Sequence, residues 1–134
     1  MSSTAKTIQA KRRIVLCIDD DPVMVDLIKL ILKPEGYEVV GASGGREGLE
    51  LIKTLHPTVV LLDIMMPDMD GWEVYQAMLQ LELNYRIPVI IVSAKPEPDP
   101  KLDIIYSVTR PFAYINKPFE APVLVNAVRR AMGD

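Results

Sequence analysis

Short apolar runs alternate with longer amphipathic stretches along most of the chain. The apolar runs lie near residues 14–18, 37–41, 59–62, 88–92 and 112–115, and the amphipathic stretches lie near 22–33, 46–55, 71–82, 101–108 and 120–132. Short apolar runs predict strands, and helical periodicity between them predicts helices. The pattern therefore predicts five consecutive β-α units.

The predicted strands are expected to form a parallel sheet with helices on both faces. The run VIIV over residues 89–92 is apolar without alternation, which indicates a strand buried on both sides. Asp21 and Asp70 are suitable N-caps for the helices that follow them. Pro34 is expected to end the first helix slightly before Gly36 would. The fold class predicted from these signals is α/β.

Composition and charge narrow the class of protein. The chain has 134 residues, 49% of them hydrophobic, which is enough for one domain with a real core. Residues 1–12 are polar without a regular apolar face and predict a flexible leader, so the domain is expected to span 13–134. The apolar runs are too short to cross a membrane. Fifteen basic and eighteen acidic residues give a net charge of −3, so direct binding of nucleic acid or of a membrane surface is not expected.

The cellular compartment is predicted from the N-terminus and the cysteine content. The first residues lack the apolar stretch and cleavage site of a secretory signal. Cys17 is the only cysteine and lies within an apolar run, where it is expected to act as a small buried hydrophobe. These features favour a cytoplasmic protein.

Polar residues of reactive types follow the predicted strands. In a parallel α/β sheet the carboxyl ends of the strands lie along one edge, where ligands bind. Residues from separate parts of the chain are therefore expected to converge there. They are Asp19 and Asp20 after the first run, Asp63 after the third, Ser93 after the fourth, and Asn116 and Lys117 after the fifth.

This set of side chains points to phosphate chemistry with a metal ion. Carboxylates about 4 Å apart repel by roughly 4 kcal/mol per pair at an effective dielectric of about 20, so Asp19, Asp20 and Asp63 need a compensating cation. Mg²⁺ is the natural candidate, because it takes carboxylate oxygens, water and phosphate. Lys117 and Ser93 are expected to meet the oxygens of the transferred group. Asp63 is the expected nucleophile, since aspartate forms acyl phosphates.

Four motifs, in order, resemble those of response regulator receiver domains of two-component signal transduction, of the kind found in chemotaxis regulators. They are IDDDP over 18–22, DIMMPDMDG over 63–71, VSAK over 92–95 and YINKPF over 114–119. The resemblance spans residues 14–132. It implies a flavodoxin-like (βα)5 fold, with a five-stranded parallel sheet in the order 2-1-3-4-5.

The resemblance also implies a role for each residue of the site. Asp63 accepts a phosphoryl group from a histidine kinase or a phosphotransfer protein. Asp20, Asp63 and the backbone carbonyl of Met65 bind Mg²⁺, with Asp19 contributing through water. Lys117 contacts the phosphoryl oxygens.

Two further residues are implied to act as a switch. Ser93 moves to hydrogen-bond the phosphoryl group, and the ring of Tyr114 turns inward when this happens. The signal then leaves by the face around the predicted 101–108 helix, the last strand and the last helix. The Lys117–Pro118 bond is expected to be cis. A half-buried strand aromatic without a switch role is the alternative interpretation of Tyr114.

The chain departs from its apparent relatives near the last strand. Many receivers have Gly-Ala before that strand, where this chain has Arg110 and Pro111. Residues 95–100 also contain three prolines. These departures leave the phosphorylation motifs intact, but they put the shape of the usual output surface in doubt.

Two other functions compete with the phosphoacceptor switch. One is a magnesium-dependent aspartyl phosphohydrolase, which usually has a second acid two residues after the nucleophile; here that residue is Met65, which cannot donate a proton. The other is a phosphorylation-independent interaction module with the same fold. The intact set of acids, hydroxyl and lysine argues against that module. The switch itself is compatible with a free-standing regulator or with a part of a longer protein.

Overall fold

The computed structural model describes residues 13–81, 83, 86–98 and 110–134. The leader predicted for residues 1–12 and the helix predicted near 101–108 lie outside the described residues. The predicted bounds of the leader and of the domain, and part of the expected output face, therefore stay predictions.

A five-stranded parallel sheet forms the centre of the fold. The strand order is β2-β1-β3-β4-β5, and all four neighbouring pairs are parallel. This confirms the predicted α/β class and the 2-1-3-4-5 order. The strands are β1 (Ile14–Ile18), β2 (Glu38–Ala42), β3 (Val59–Leu62), β4 (Val89–Ser93) and β5 (Ala113–Asn116).

Four α-helices are present in the described part of the chain. They are α1 (Pro22–Leu32), α2 (Gly45–Leu55), α3 (Gly71–Leu79) and α4 (Ala121–Met132). Asp21 caps α1 by accepting a hydrogen bond from the backbone N–H of Val23, and Asp70 caps α3 in a capping box with Glu73. Both predicted caps are thus confirmed.

The end of α1 follows its sequence closely. The helix stops at Leu32, and a 3₁₀ turn continues over Lys33–Glu35, where Pro34 has no backbone N–H to donate to a longer α-helix. Gly36 then adopts a φ of 90°, which a residue with a Cβ rarely adopts. The chain reverses here and enters β2.

The sheet is covered on both faces, as the apolar strands predict. On one face, Val15 and Cys17 pack with Ile28 of α1 and with Leu124 of α4. On the other face, residues from alternate strand positions pack with α2 and α3. The strands β1, β3 and β4 are buried along their whole length. A rigid sheet of this kind fixes the positions of the residues that follow each strand.

Among the described residues, no helix is both long enough and apolar enough to span a membrane.

Candidate functional site

The three predicted acids meet at the carboxyl edge of the sheet. Asp19 and Asp20 follow β1, and Asp63 follows the neighbouring strand β3. One carboxylate oxygen from each residue lies within 4.8 Å of the others. Asp19 and Asp63 are buried, whereas Asp20 is exposed and forms the outer wall of the cluster. Buried carboxylates at this spacing need nearby positive charge.

Lys117 supplies positive charge to the two buried acids of the cluster. It directly follows β5, and its Nζ donates a hydrogen bond of 2.8 Å to Asp19 Oδ2. The same Nζ lies 3.6 Å from Asp63 Oδ2. The backbone N–H of Lys117 donates to the carbonyl of Ser93 at 2.8 Å, which ties the residue to the end of β4. The Lys117–Pro118 bond is cis, as predicted.

Each oxygen of Asp19 already has a donor within the protein. Oδ2 accepts from Lys117, and Oδ1 accepts from the backbone N–H of Asp21 at 2.9 Å. Asp63 Oδ1 accepts from the backbone N–H of Met65 at 3.1 Å. Within the described part of the chain, the Asp20 carboxylate receives no protein hydrogen bond. Asp20 is therefore the acid best placed to give its oxygens to a cation.

The protonation of the site follows from burial and from these contacts. Burial raises the pKa of Asp63, and the Met65 N–H opposes that effect while Asp19 adds to it. For Lys117, burial favours the neutral amine, but the hydrogen bond and the negative charge of Asp19, together with Asp63, outweigh it and raise the pKa. The lysine is therefore held as a cation next to a carboxylate that is easier to protonate than usual.

Ser93 and Tyr114 lie beside the cluster and are connected through Lys95. Ser93 is fully buried at the end of β4, and its Oγ accepts a hydrogen bond of 3.2 Å from the backbone N–H of Lys95. The Tyr114 hydroxyl donates to the Lys95 carbonyl at 2.8 Å. The tyrosine is only partly buried. Through this hydrogen bond its hydroxyl holds the loop after β4 in this structure.

The predicted role of Met65 concerns its backbone. Its side chain is 54% exposed, and its N–H donates to Asp63. That contact positions the Asp63 carboxylate. A role of the Met65 carbonyl in binding a metal ion stays a prediction.

Gly71, the last residue of the DIMMPDMDG motif, is a positioning residue to which the sequence alone gave no role. A Cβ at Gly71 would collide with the backbone carbonyl of Asp63 and would lie 2.7 Å from the Cα of Ile64. The Gly71 N–H donates to the Ile64 carbonyl at 2.9 Å. The absence of a side chain lets α3 begin directly behind Asp63. The Asp70-Gly71 pair in the motif was the available signal.

Several residues outside the acidic cluster have structural roles. His56 is exposed and ends α2 in a left-handed conformation, and Asp68 is a turn residue with a φ of 68°. Cys17 is buried in β1, and burial raises the pKa of its thiol to about 12. Trp72 packs edge-on against Tyr75 with the ring centroids 6.1 Å apart.

The arrangement of acids, lysine and strand ends agrees with a family comparison. Residues 15–129 match the family described as response regulator receiver domain. The chain belongs to this family. Receiver domains are signalling switches of two-component systems, and they bind Mg²⁺ at an acidic pocket.

Solved receiver structures share the fold over nearly the whole chain. A CheY-like response regulator receiver domain protein from Methanospirillum hungatei JF-1 is 35% identical with a TM-score of 0.77, covering 90% of this chain and 94% of that chain. The receiver domain of the Francisella response regulator 1452 is 30% identical with a TM-score of 0.76, covering 91% and 98%. A signal receiver domain of a histidine kinase from Syntrophus aciditrophicus is 26% identical with a TM-score of 0.77, covering 90% of each chain.

The residues of this receiver domain fit the metal that the family implies. The three clustered acids offer carboxylate oxygens, which are the hard ligands that Mg²⁺ prefers. Only the outer acid, Asp20, is exposed, so the cluster is open to solvent on one side. An ion that keeps several of its waters suits such a half-open site.

Proposed function

We propose that this receiver domain accepts one phosphoryl group on Asp63 from a histidine kinase or a phosphotransfer protein. The observation that carries the proposal is the position of Asp63 between two other acids and Lys117. Such a site can hold positive charge on both sides of a transferred group. Family membership supports the same function.

Transfer requires an oxygen of Asp63 to bond to phosphorus as the bond from phosphorus to the donor breaks. The Met65 N–H holds Oδ1, and Lys117 lies beside Oδ2, so the carboxylate has a fixed orientation. Lys117 neutralises part of the charge on the phosphoryl oxygens. When bound at Asp19, Asp20, Asp63 and the Met65 carbonyl, Mg²⁺ supplies further positive charge to those oxygens.

We assign the switch to Ser93 and Tyr114. Ser93 Oγ accepts from Lys95, so its own proton is available for an oxygen of the phosphoryl group. As Ser93 turns toward Asp63, the loop after β4 shifts and the Tyr114 hydroxyl loses its present acceptors, the carbonyls of Lys95 and Pro96. The ring is then able to turn inward, which changes the surface next to β5.

The same proposal covers the setting in which the switch acts. The receiver domain comprises residues 13–134 after a flexible leader, and it acts in the cytoplasm without binding nucleic acid or a membrane directly. It catalyses only its own phosphorylation and a slow autodephosphorylation. Met65 supports the slow hydrolysis, because its side chain carries no acid or amide to orient an attacking water.

A small phosphodonor tests the proposal without the kinase. The protein is incubated with acetyl phosphate and magnesium, and its intact mass is measured. The wild type is expected to gain one phosphoryl group, and Asp63→Asn is expected to gain none. Asp68→Asn changes an exposed acid of the same loop and serves as the matched control that is still modified.

Three results would contradict the proposal. An unmodified wild type that also fails to bind beryllofluoride would favour a phosphorylation-independent interaction module. Repeated turnover of a phosphomonoester would favour a phosphohydrolase. Modification that persists in Asp63→Asn would move the acceptor to another residue.

A further inference from the structure

A cavity separate from the acidic cluster lies at the amino edge of β4 and β5, the edge opposite to Asp63. Its volume is about 250 Å³. Its walls combine two arginines, two aromatic rings and short apolar residues: Tyr75, Arg86, Ile87, Pro88, Val89, Arg110 and Phe112. The phosphoacceptor site uses none of these residues.

The register of the sheet brings the two arginines to within one residue of the same level. In the β4–β5 pair, Ile90 lies opposite Ala113, and the backbone N–H of Phe112 donates to the Val89 carbonyl at 2.7 Å. Following this register toward the amino ends places Arg86 and Arg110 just before two neighbouring strands, which are about 4.8 Å apart. Both side chains are exposed. Two guanidinium groups are thus concentrated at one small cavity.

The aromatic residues give this cavity a mixed character. Tyr75 is buried, and burial raises the pKa of its phenol while the charge of Arg86 opposes that effect. Arg86 and the Tyr75 side chain both line the cavity. Phe112 is 48% exposed and supplies an apolar surface next to Arg110.

The chemistry of these walls selects a class of ligand. Guanidinium groups donate paired hydrogen bonds to carboxylate and phosphate oxygens. At about 250 Å³ the cavity is smaller than the roughly 300–1,000 Å³ of typical small-molecule sites. A single oxyanion group fits this volume better than a nucleotide does.

We propose that Arg86 and Arg110, on the wall formed by Tyr75 and Phe112, bind an oxyanion group, a carboxylate or a phosphate. The group comes either from a free small anion or from an acidic side chain of a peptide segment. The site includes Arg110, one residue of the Arg110-Pro111 pair by which this chain departs from the Gly-Ala of many receivers. It makes the amino edge a place where a ligand is able to contact β5.

Nuclear magnetic resonance of the whole chain tests this site with sulfate as the probe. The backbone amides of Tyr75, Val89 and Phe112 are followed during titration with sulfate, with chloride at matched ionic strength as reference. Saturable shifts are expected with sulfate only. The Arg86→Gln/Arg110→Gln double variant is expected to bind at least tenfold more weakly, whereas Arg130→Gln, which removes an exposed arginine of α4, leaves binding unchanged.

A peptide of four glutamates distinguishes the two sources of the anion. If the peptide shifts the same amides and sulfate displaces it, an acidic segment is a ligand of the site. If sulfate binds and the peptide does not, the ligand is a free anion. The proposal is overturned if neither probe gives saturable shifts at these amides, or if the double variant binds as the wild type does. Unchanged amide shifts in β1 and β3 show that the double variant is folded.

Discussion

At the carboxyl edge of the sheet Asp19 and Asp63 are buried against Lys117, whereas at the amino edge Arg86 and Arg110 are exposed to solvent. Water stabilises an exposed charge, but a buried charge depends on partners within the protein. The carboxyl edge therefore has a fixed geometry that suits a chemical reaction. The charges at the amino edge contribute little to the stability of the fold, so they are free to serve in binding a ligand.

The two edges are expected to differ most in the free energy of unfolding that is lost when a basic side chain is replaced. In metal-free buffer, Lys117→Met is expected to lower the free energy of unfolding by about 3 kcal/mol, because it leaves the buried Asp19 without its partner. Arg86→Met, at the exposed edge, is expected to change it by less than about 0.5 kcal/mol. Urea denaturation measures both. Equal effects would contradict the distinction between the two edges.

The next effect concerns the packing behind Asp63. Gly71→Ala is expected to destabilise the protein by about 1–3 kcal/mol, since the new Cβ collides with the Asp63 backbone. It is also expected to slow phosphorylation by acetyl phosphate, because the backbone of Asp63, the proposed acceptor, must shift. Gly44→Ala is the matched control, since a Cβ there has no neighbour within 4 Å. A fully active Gly71→Ala protein would argue against this positioning role.

Metal binding is expected to give a smaller gain in stability. Magnesium at about ten times its dissociation constant stabilises the folded state by about 1.4 kcal/mol, so the melting temperature should rise. Asp20→Ala is expected to lose this rise, because Asp20 is the acid of the cluster that receives no hydrogen bond from the described residues. Asp26→Ala, which removes an exposed acid of α1, keeps it. The same rise in Asp20→Ala as in the wild type would place the ion elsewhere.

The smallest effect is a pH dependence at the carboxyl edge. Burial raises the pKa of Asp63 above its ordinary value of 3.8, so the folded state binds this proton more tightly than the unfolded state. In metal-free buffer, stability from this group is therefore lost as the pH rises from the ordinary value through the raised pKa. Asp63→Asn lacks this loss, so it should be more stable than the wild type at neutral pH. The difference should shrink in acid, as urea denaturation at several pH values can show.

The local sequence determined the elements and the chemistry of the site. Apolar runs without polar alternation require a sheet buried on both faces. The predicted caps Asp21 and Asp70 are confirmed, because capping is a contact between near neighbours in the chain. The strands β2, β4 and β5 begin one residue later than the apolar runs suggest. Hydrophobicity marks the interior, whereas strand ends depend on hydrogen bonds between strands.

The convergence of Asp19, Asp63 and Lys117 was predictable from the chain, because parallel strands end at one edge. The individual contacts that these residues make were not predictable. Only the tertiary structure decided that Lys117 contacts Asp19 more closely than Asp63 and that Tyr114 donates to Lys95. It also brought Arg86 and Arg110 to one cavity. These contacts join residues distant in the chain, and their distances depend on strand register and packing, which no local pattern of residues specifies.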